Sequence, residues 1–112
     1  MARTALTIVQ LTIDGVTATP VAGAVDGHMW TNDIRCFLEV TNISSSPRQI
    51  TIQTPIQVRG LAVADKVVVV PPGATLKVGP FPPDTYNQGN QQAYIDYEVG
   101  HAADFSVAVF RN

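Results

Sequence analysis

The chain has 112 residues, a net charge of −2 and 14% charged residues, against about a quarter in an average soluble domain, so surface polarity rests on Thr, Ser, Gln and Asn. That length suits one domain, 1–112, and is short for two. The seven basic residues are scattered, which excludes the basic run of a nucleic-acid footprint, and the single Cys36 excludes a disulfide framework or a multi-cysteine metal site.

Val, Ile and Thr make up 34 of the 112 residues, which favours short half-buried strands over long helices. "ALTIVQLTI" (5–13) reads as a first strand ending at the Asp14-Gly15 turn pair. "VTATPVAGAV" (16–25) stays extended but is interrupted by Pro20 and Gly23, as an edge strand or arm would be. Asp26-Gly27 turns the chain into a short strand within "HMWTND" (28–33). "IRCFLEVTN" (34–42) alternates, with Ile34, Cys36, Leu38 and Val40 on one face. "NISSSP" (42–47) is a polar turn. In "RQITIQTPIQV" (48–58), Ile50 and Ile52 share a face and Pro55 breaks the run.

"RGLAVAD" (59–65) reads as a connection with room for one helical turn. "KVVVV" (66–70) is a strand whose unbroken valines predict burial on both faces. Pro71-Pro72-Gly73 is a hairpin or a sheet-switching corner before "ATLKVG" (74–79), with Leu76 and Val78 inward. "PFPPDTYNQGNQQ" (80–92) is a long ordered loop in which Phe81 plugs the end of the core. "AYIDYEV" (93–99) and "DFSVAVFRN" (104–112) are the last strands. About eight short strands and little or no helix predict an all-β fold, an antiparallel β-sandwich or jelly roll.

No stretch carries clear chemistry. Cys36 lies on an apolar strand face, which predicts a buried structural thiol. His28 reads as a loop residue with a pH-sensitive contact, and His101 as a turn residue. Neither has acids or thiols at metal-ligand spacing. Asp96 and Glu98 share a strand face with Tyr94, but neighbours two residues apart lack the opposed placement of a carboxylate pair at work. Walker, dinucleotide and nucleophile-elbow motifs do not occur. An exposed row of Trp30, Tyr86 and Tyr94 would offer a sugar platform or an interface. Pro80 and Pro83 have PxxP spacing without a flanking Arg or Lys. No cofactor, metal or small-molecule substrate is expected, and the chain is not read as an enzyme.

The start "MARTALTIVQ" lacks the apolar stretch of a secretion signal, and no run approaches the roughly 20 apolar residues of a membrane span. The expectation is synthesis in a cytoplasm, with no membrane partner.

One wider pattern spans nearly the full length. Asp26-Gly27-His28, Asn32-Asp33, Phe37-Leu38, Val40, Asn42, Pro72-Gly73, Gly79-Pro80-Phe81-Pro82 and Tyr86-Asn87 follow an N-terminal "TALTIVQLTIDG". This series resembles small structural proteins of tailed bacteriophages, similar to capsid decoration (cement) proteins. Every motif in it is a turn or core signature. The resemblance implies a sandwich or jelly-roll subunit on the outer surface of a phage head, bound to the major capsid protein and to copies of itself, with trimeric clustering. It brings no catalytic residues. A head-closure or tail component is the alternative within a virion, and a carbohydrate-binding or adhesion module is the alternative outside it. Within this sequence the interface candidates are Ala2, Arg3, Thr4, Ala5 and Leu6, in an extended N-terminal arm over 1–6, then Pro20, Phe81, Tyr86 and Asn87.

Overall fold

Alternation in the sequence becomes alternation in burial across two sheets that share one core. The structure is a computed structural model, and it describes residues 3–17, 20–55, 57–89 and 91–111. In chain order the strands are β1 (Thr4–Ala5), β2 (Ile8–Gln10), β3 (Val21–Ala22), β4 (His28–Thr31), β5 (Cys36–Asn42), β6 (Arg48–Ile52), β7 (Gln57–Val58) and β8 (Leu61–Ala62). β9 (Lys66–Val70), β10 (Thr75–Val78), β11 (Gln92–Tyr97) and β12 (Phe105–Arg111) follow. One helical turn, α1 (Pro83–Tyr86), and a tight 3-10 turn at Ala102–Asp104 are the only helical pieces among the described residues.

The first sheet runs β1-β4-β11-β6-β9 and the second β10-β5-β12-β2, with β3 also beside β12. β7 and β8 form a separate hairpin. Trp30, Ile50, Ile52 and Ile95 of the first sheet meet Leu38, Val40, Phe105, Val107 and Val109 of the second in one buried cluster. These are the inward positions that a period of two selects in each strand. The fold is all-β, as expected.

Several expectations are corrected. Twelve strands are present among the described residues, not about eight, because β1, β3, β7 and β8 are two residues long and too short to show a period. The sheets are mixed, not purely antiparallel: β1 runs parallel to β4, and β2 parallel to β12. The run 5–13 is therefore not one strand. It crosses at Thr7 from the first sheet to the second, so that Leu6 and Ile8 both pack against the core. Residues 59–65 hold a hairpin turn in place of a helical one. Arg59 and Gly60 have φ of 54° and 79°, the pair of left-handed residues that a two-residue β-hairpin uses.

β9 is likewise not buried on both faces. It lies at the edge of the first sheet, with Val70 buried, Val68 half-buried, and Val67 and Val69 exposed. Ile34 falls in the turn before β5 and is exposed, off the face it was assigned to. Pro71-Pro72-Gly73 resolves as the sheet-switching corner, since β9 and β10 belong to different sheets. Gly73 takes φ of 68°, and its N–H donates to Asn42 O at 2.8 Å.

Candidate functional site

The N-terminal residues lie docked along their own domain. Leu6 N–H donates to Met29 O at 2.7 Å and the Leu6 side chain packs on the core. Arg3 Nη1 reaches Asp96 Oδ1 at 2.7 Å and donates to Ile95 O at 3.0 Å. Its guanidinium carbon sits 4.4 Å from the centre of the Tyr94 ring, a cation–π distance. Asp96 also accepts from Gln53 Nε2 at 2.7 Å. Gly27, with φ of 80°, lets Arg3 pass: a Cβ there would strike the Arg3 guanidinium and stand 2.6 Å from Ile95 O. Thr4 and Ala5 are exposed, and Pro20 is exposed at the entry to β3. Ala2 lies outside the described residues.

The loop candidates serve mainly as internal packing. Phe81 is 2% exposed, between the Trp30 ring at 5.5 Å and the Tyr86 ring at 5.4 Å, which makes it the plug of the core's end. It therefore offers no surface to a partner. Asn32 ties the loop down, donating to Phe81 O at 2.8 Å and Asn87 Oδ1 at 2.7 Å, and accepting from Trp30 Nε1 at 3.2 Å. Trp30 is fully buried, so the exposed row of Trp30, Tyr86 and Tyr94 does not form. A glycan platform loses its largest ring.

The two histidines occupy unlike sites. His28 is not a loop residue: it opens β4, is 3% exposed, and its Nδ1 lies 2.7 Å from the Tyr97 hydroxyl. Burial holds the His28 pKa below its usual value. Burial, with the Asp96 charge second, pushes the Tyr97 phenol up. His101 stands in a polar cluster on the turn after β11. Its Nδ1 is 3.1 Å from Asp104 Oδ2, and Arg48 pairs with both Asp104 at 3.1 Å and Glu98 at 3.3 Å. Glu98 thus braces a turn and does not act beside Asp96.

Cys36 is buried as expected, and burial raises its thiol pKa. Arg111 Nε donates to Asp33 Oδ2 at 2.7 Å and holds the Asp33 carboxyl below the usual carboxylate range. Among the described residues no three of His, Cys, Asp and Glu converge as metal ligands. The grooves on the surface are shallow. One of about 360 Å³ is lined by Ile34, Arg35, Phe37, Lys77 and Pro80, with the fully buried Cys36 in its wall.

What sequence reasoning missed lies at the tips of the turns. Ile13, Val25, Ile43, Leu61 and Val99 are all well exposed. Ile13 and Val25 directly precede Asp14-Gly15 and Asp26-Gly27, Leu61 follows Arg59-Gly60, and Val99 precedes Gly100. A large aliphatic residue beside a turn pair is the readable signal, since a turn residue has no sheet to bury it, and Leu61 lies on β8 in the separate hairpin away from the two main sheets. In comparisons with family models, curated proteins and solved structures, nothing matches this chain.

Proposed function

We propose that this protein is a structural component of a phage virion, most specifically a capsid decoration protein. In this reading it is a jelly-roll-like sandwich that binds the outside of the head and stabilises the junctions between capsid subunits. The observation that carries the docking role is the set of exposed aliphatic side chains at the turn tips. Ile13, Val25 and Val99 are essentially fully accessible on a domain with few charges. Such a surface loses little by desolvation and gains from apolar burial when it meets a partner. The virion setting rests on the residue series from Asp26-Gly27-His28 to Tyr86-Asn87. Many weak copies bound to one shell would stabilise it by preferring the assembled state.

The test is co-sedimentation with purified heads that lack the protein. The intact chain is expected to pellet with the heads. Ile13→Asp and Val99→Asp are expected to pellet less while melting at the temperature of the parent. Failure of the intact chain to bind heads would sink the reading. A bound copy number confined to one vertex would move it to the head-closure or tail alternative. The adhesion module is disfavoured by the burial of Trp30.

A further inference from the structure

Where the N-terminal strap, residues 3–6, passes from the first sheet to the second, it roofs a groove of about 350 Å³. The strap and Thr7 line one side, Val21 and Ala22 of β3 another, and Val107 and Ala108 the back. His28 also lines it, with its ring edge-on to Tyr97 at 5.6 Å and Nδ1 on the Tyr97 hydroxyl. No hydrogen bond to Nε2 occurs among the described residues.

We propose that His28 is an acid-sensitive latch: the neutral, buried imidazole lets the strap lie closed on β4, and its protonation lifts the strap while the two sheets stay folded. This does not depend on what the protein docks to.

The charged form has no good partner in the closed state. A protonated ring has two donors. Nδ1–H can use the Tyr97 oxygen, which leaves Nε2–H with no acceptor among the described residues, in a narrow groove where only Thr4 and Thr7 carry side-chain hydroxyls. The ionisable groups around it are few. The strap contributes Arg3, a like charge that crosses the adjacent Gly27. β11 contributes Tyr97 and Asp96, and Asp96 is already held by Arg3 and Gln53. The turn before β4 contributes Asp26, while β3 and β12 present only apolar side chains to the groove.

The sign follows from burial, which lowers the folded-state pKa below the 6.5 of a free imidazole. The closed form binds the proton less well than an opened one. Closure is therefore at full strength above about pH 6.5 and weakens as pH falls below it. The thinnest cover gives way first. β1 is a two-residue strand at a sheet edge, held by Thr4 N–H to Gly27 O at 3.4 Å and Leu6 N–H to Met29 O at 2.7 Å, with Arg3 before it on Asp96, Ile95 O and the Tyr94 ring. Lifting it wets the imidazole, frees Arg3 from its half-exposed ion pair with Asp96 and uncovers the half-buried Leu6, whereas opening the sheets would expose the whole core.

The experiment is amide hydrogen exchange by NMR on the full chain at pH 7.5, 6.5 and 5.5, corrected for intrinsic rates. Leu6 N–H reports the strap, and the amides of β5 and β12 report the body. In the parent, Leu6 protection is expected to fall about three- to fivefold between pH 6.5 and 5.5, with the body unchanged. His28→Gln should remove that fall and His101→Gln should keep it. Equal pH dependence in the parent and His28→Gln overturns the proposal, as does loss of body protection in step with Leu6. Should His28→Gln fail to fold, the imidazole titration of the parent decides. A His28 pKa below 6.5 that tracks Leu6 exchange supports the latch, and one at or above 6.5 overturns it.

Discussion

At Asn42 one fully buried side chain serves four groups. Nδ2 donates to Ser46 O at 2.8 Å and Val70 O at 2.9 Å, and Oδ1 accepts from Ser44 N–H and Ser44 Oγ at 2.9 and 2.7 Å. It thereby welds the end of β5 to the turn at 43–47 and to the corner after β9. Asn42→Ala would leave buried donors and acceptors without partners, each at roughly 1–3 kcal/mol. A loss of about 3 kcal/mol or more is expected in urea unfolding, and a change below about 1 kcal/mol would refute the weld. Gly27 is a second such position. Its φ of 80° and the nearness of Ile95 O leave no room for a Cβ. Gly27→Ala is expected to lower stability by about 1–3 kcal/mol, from left-handed strain plus displacement of Arg3. The same denaturant curve, run beside Arg3→Ala, separates those two causes. Sequence reading placed Asn42 in a polar turn cluster and Gly27 in a turn pair. Neither role as a junction was legible, because the partner that makes Asn42 a junction, Val70, lies 28 residues away and the atoms that crowd Gly27 belong to another strand and to Arg3.

At the scale of elements, β9 shows how position overrides composition. "KVVVV" has the pattern of a strand buried on both faces, yet only its inward residues, Val68 and Val70, are covered. β6 lies on one side of it and no strand of the first sheet lies on the other. An exposed apolar edge is a site of unwanted pairing. Val69→Lys is therefore expected to leave the melting temperature within about 2 °C and to reduce self-association at high concentration, measured by light scattering. Val70→Asp at the adjacent position is expected to prevent folding or cost about 3–5 kcal/mol, since it buries a charge without a partner. If both variants behaved alike, the inward and outward assignment would be wrong. The segment 80–92 carries the helical turn α1 and the first residue of β11, yet Phe81 plugs the end of the core as expected, with the Tyr86 ring packed against it.

For the whole molecule, β2 and β12, far apart in the chain, are paired in one sheet. Residues 8–10 pair with residues 109–111, and Gln10 and Arg111 bond side chain to side chain at 3.0 Å. β12 is the central strand of the second sheet, between β5 and β2. Deleting residues 105–112 is expected to abolish the fold, seen as loss of the β-type far-ultraviolet circular dichroism. Deleting residues 1–6 removes an edge strand, the half-buried Leu6 and the contacts of Arg3 with Asp96, Ile95 O and the Tyr94 ring. A folded domain weakened by roughly 2–3 kcal/mol is expected. That variant also bears on docking, but a loss of head binding with it would have to be read against its lower stability. Ladders between residues so distant in sequence favour folding in milliseconds to seconds over microseconds.

Composition and alternation by themselves determined that this chain is all-β, where most strands lie, and that Leu38, Val40, Ile50 and Ile52 point inward. These follow from local rules, a period of two and the chemistry of turns. The same rules assigned Cys36 and Phe81 to the interior. Only the tertiary structure decided that "ALTIVQLTI" splits between two sheets, that β1 and β2 run parallel to their neighbours, and that His28 and Trp30 are buried. It also decided that the valines of β9 are half open. Pairing partners and edge positions are fixed by contacts between distant segments, and a local period carries no record of them. That is why the first strand candidate became a segment that crosses between the sheets, with a buried histidine beneath its start.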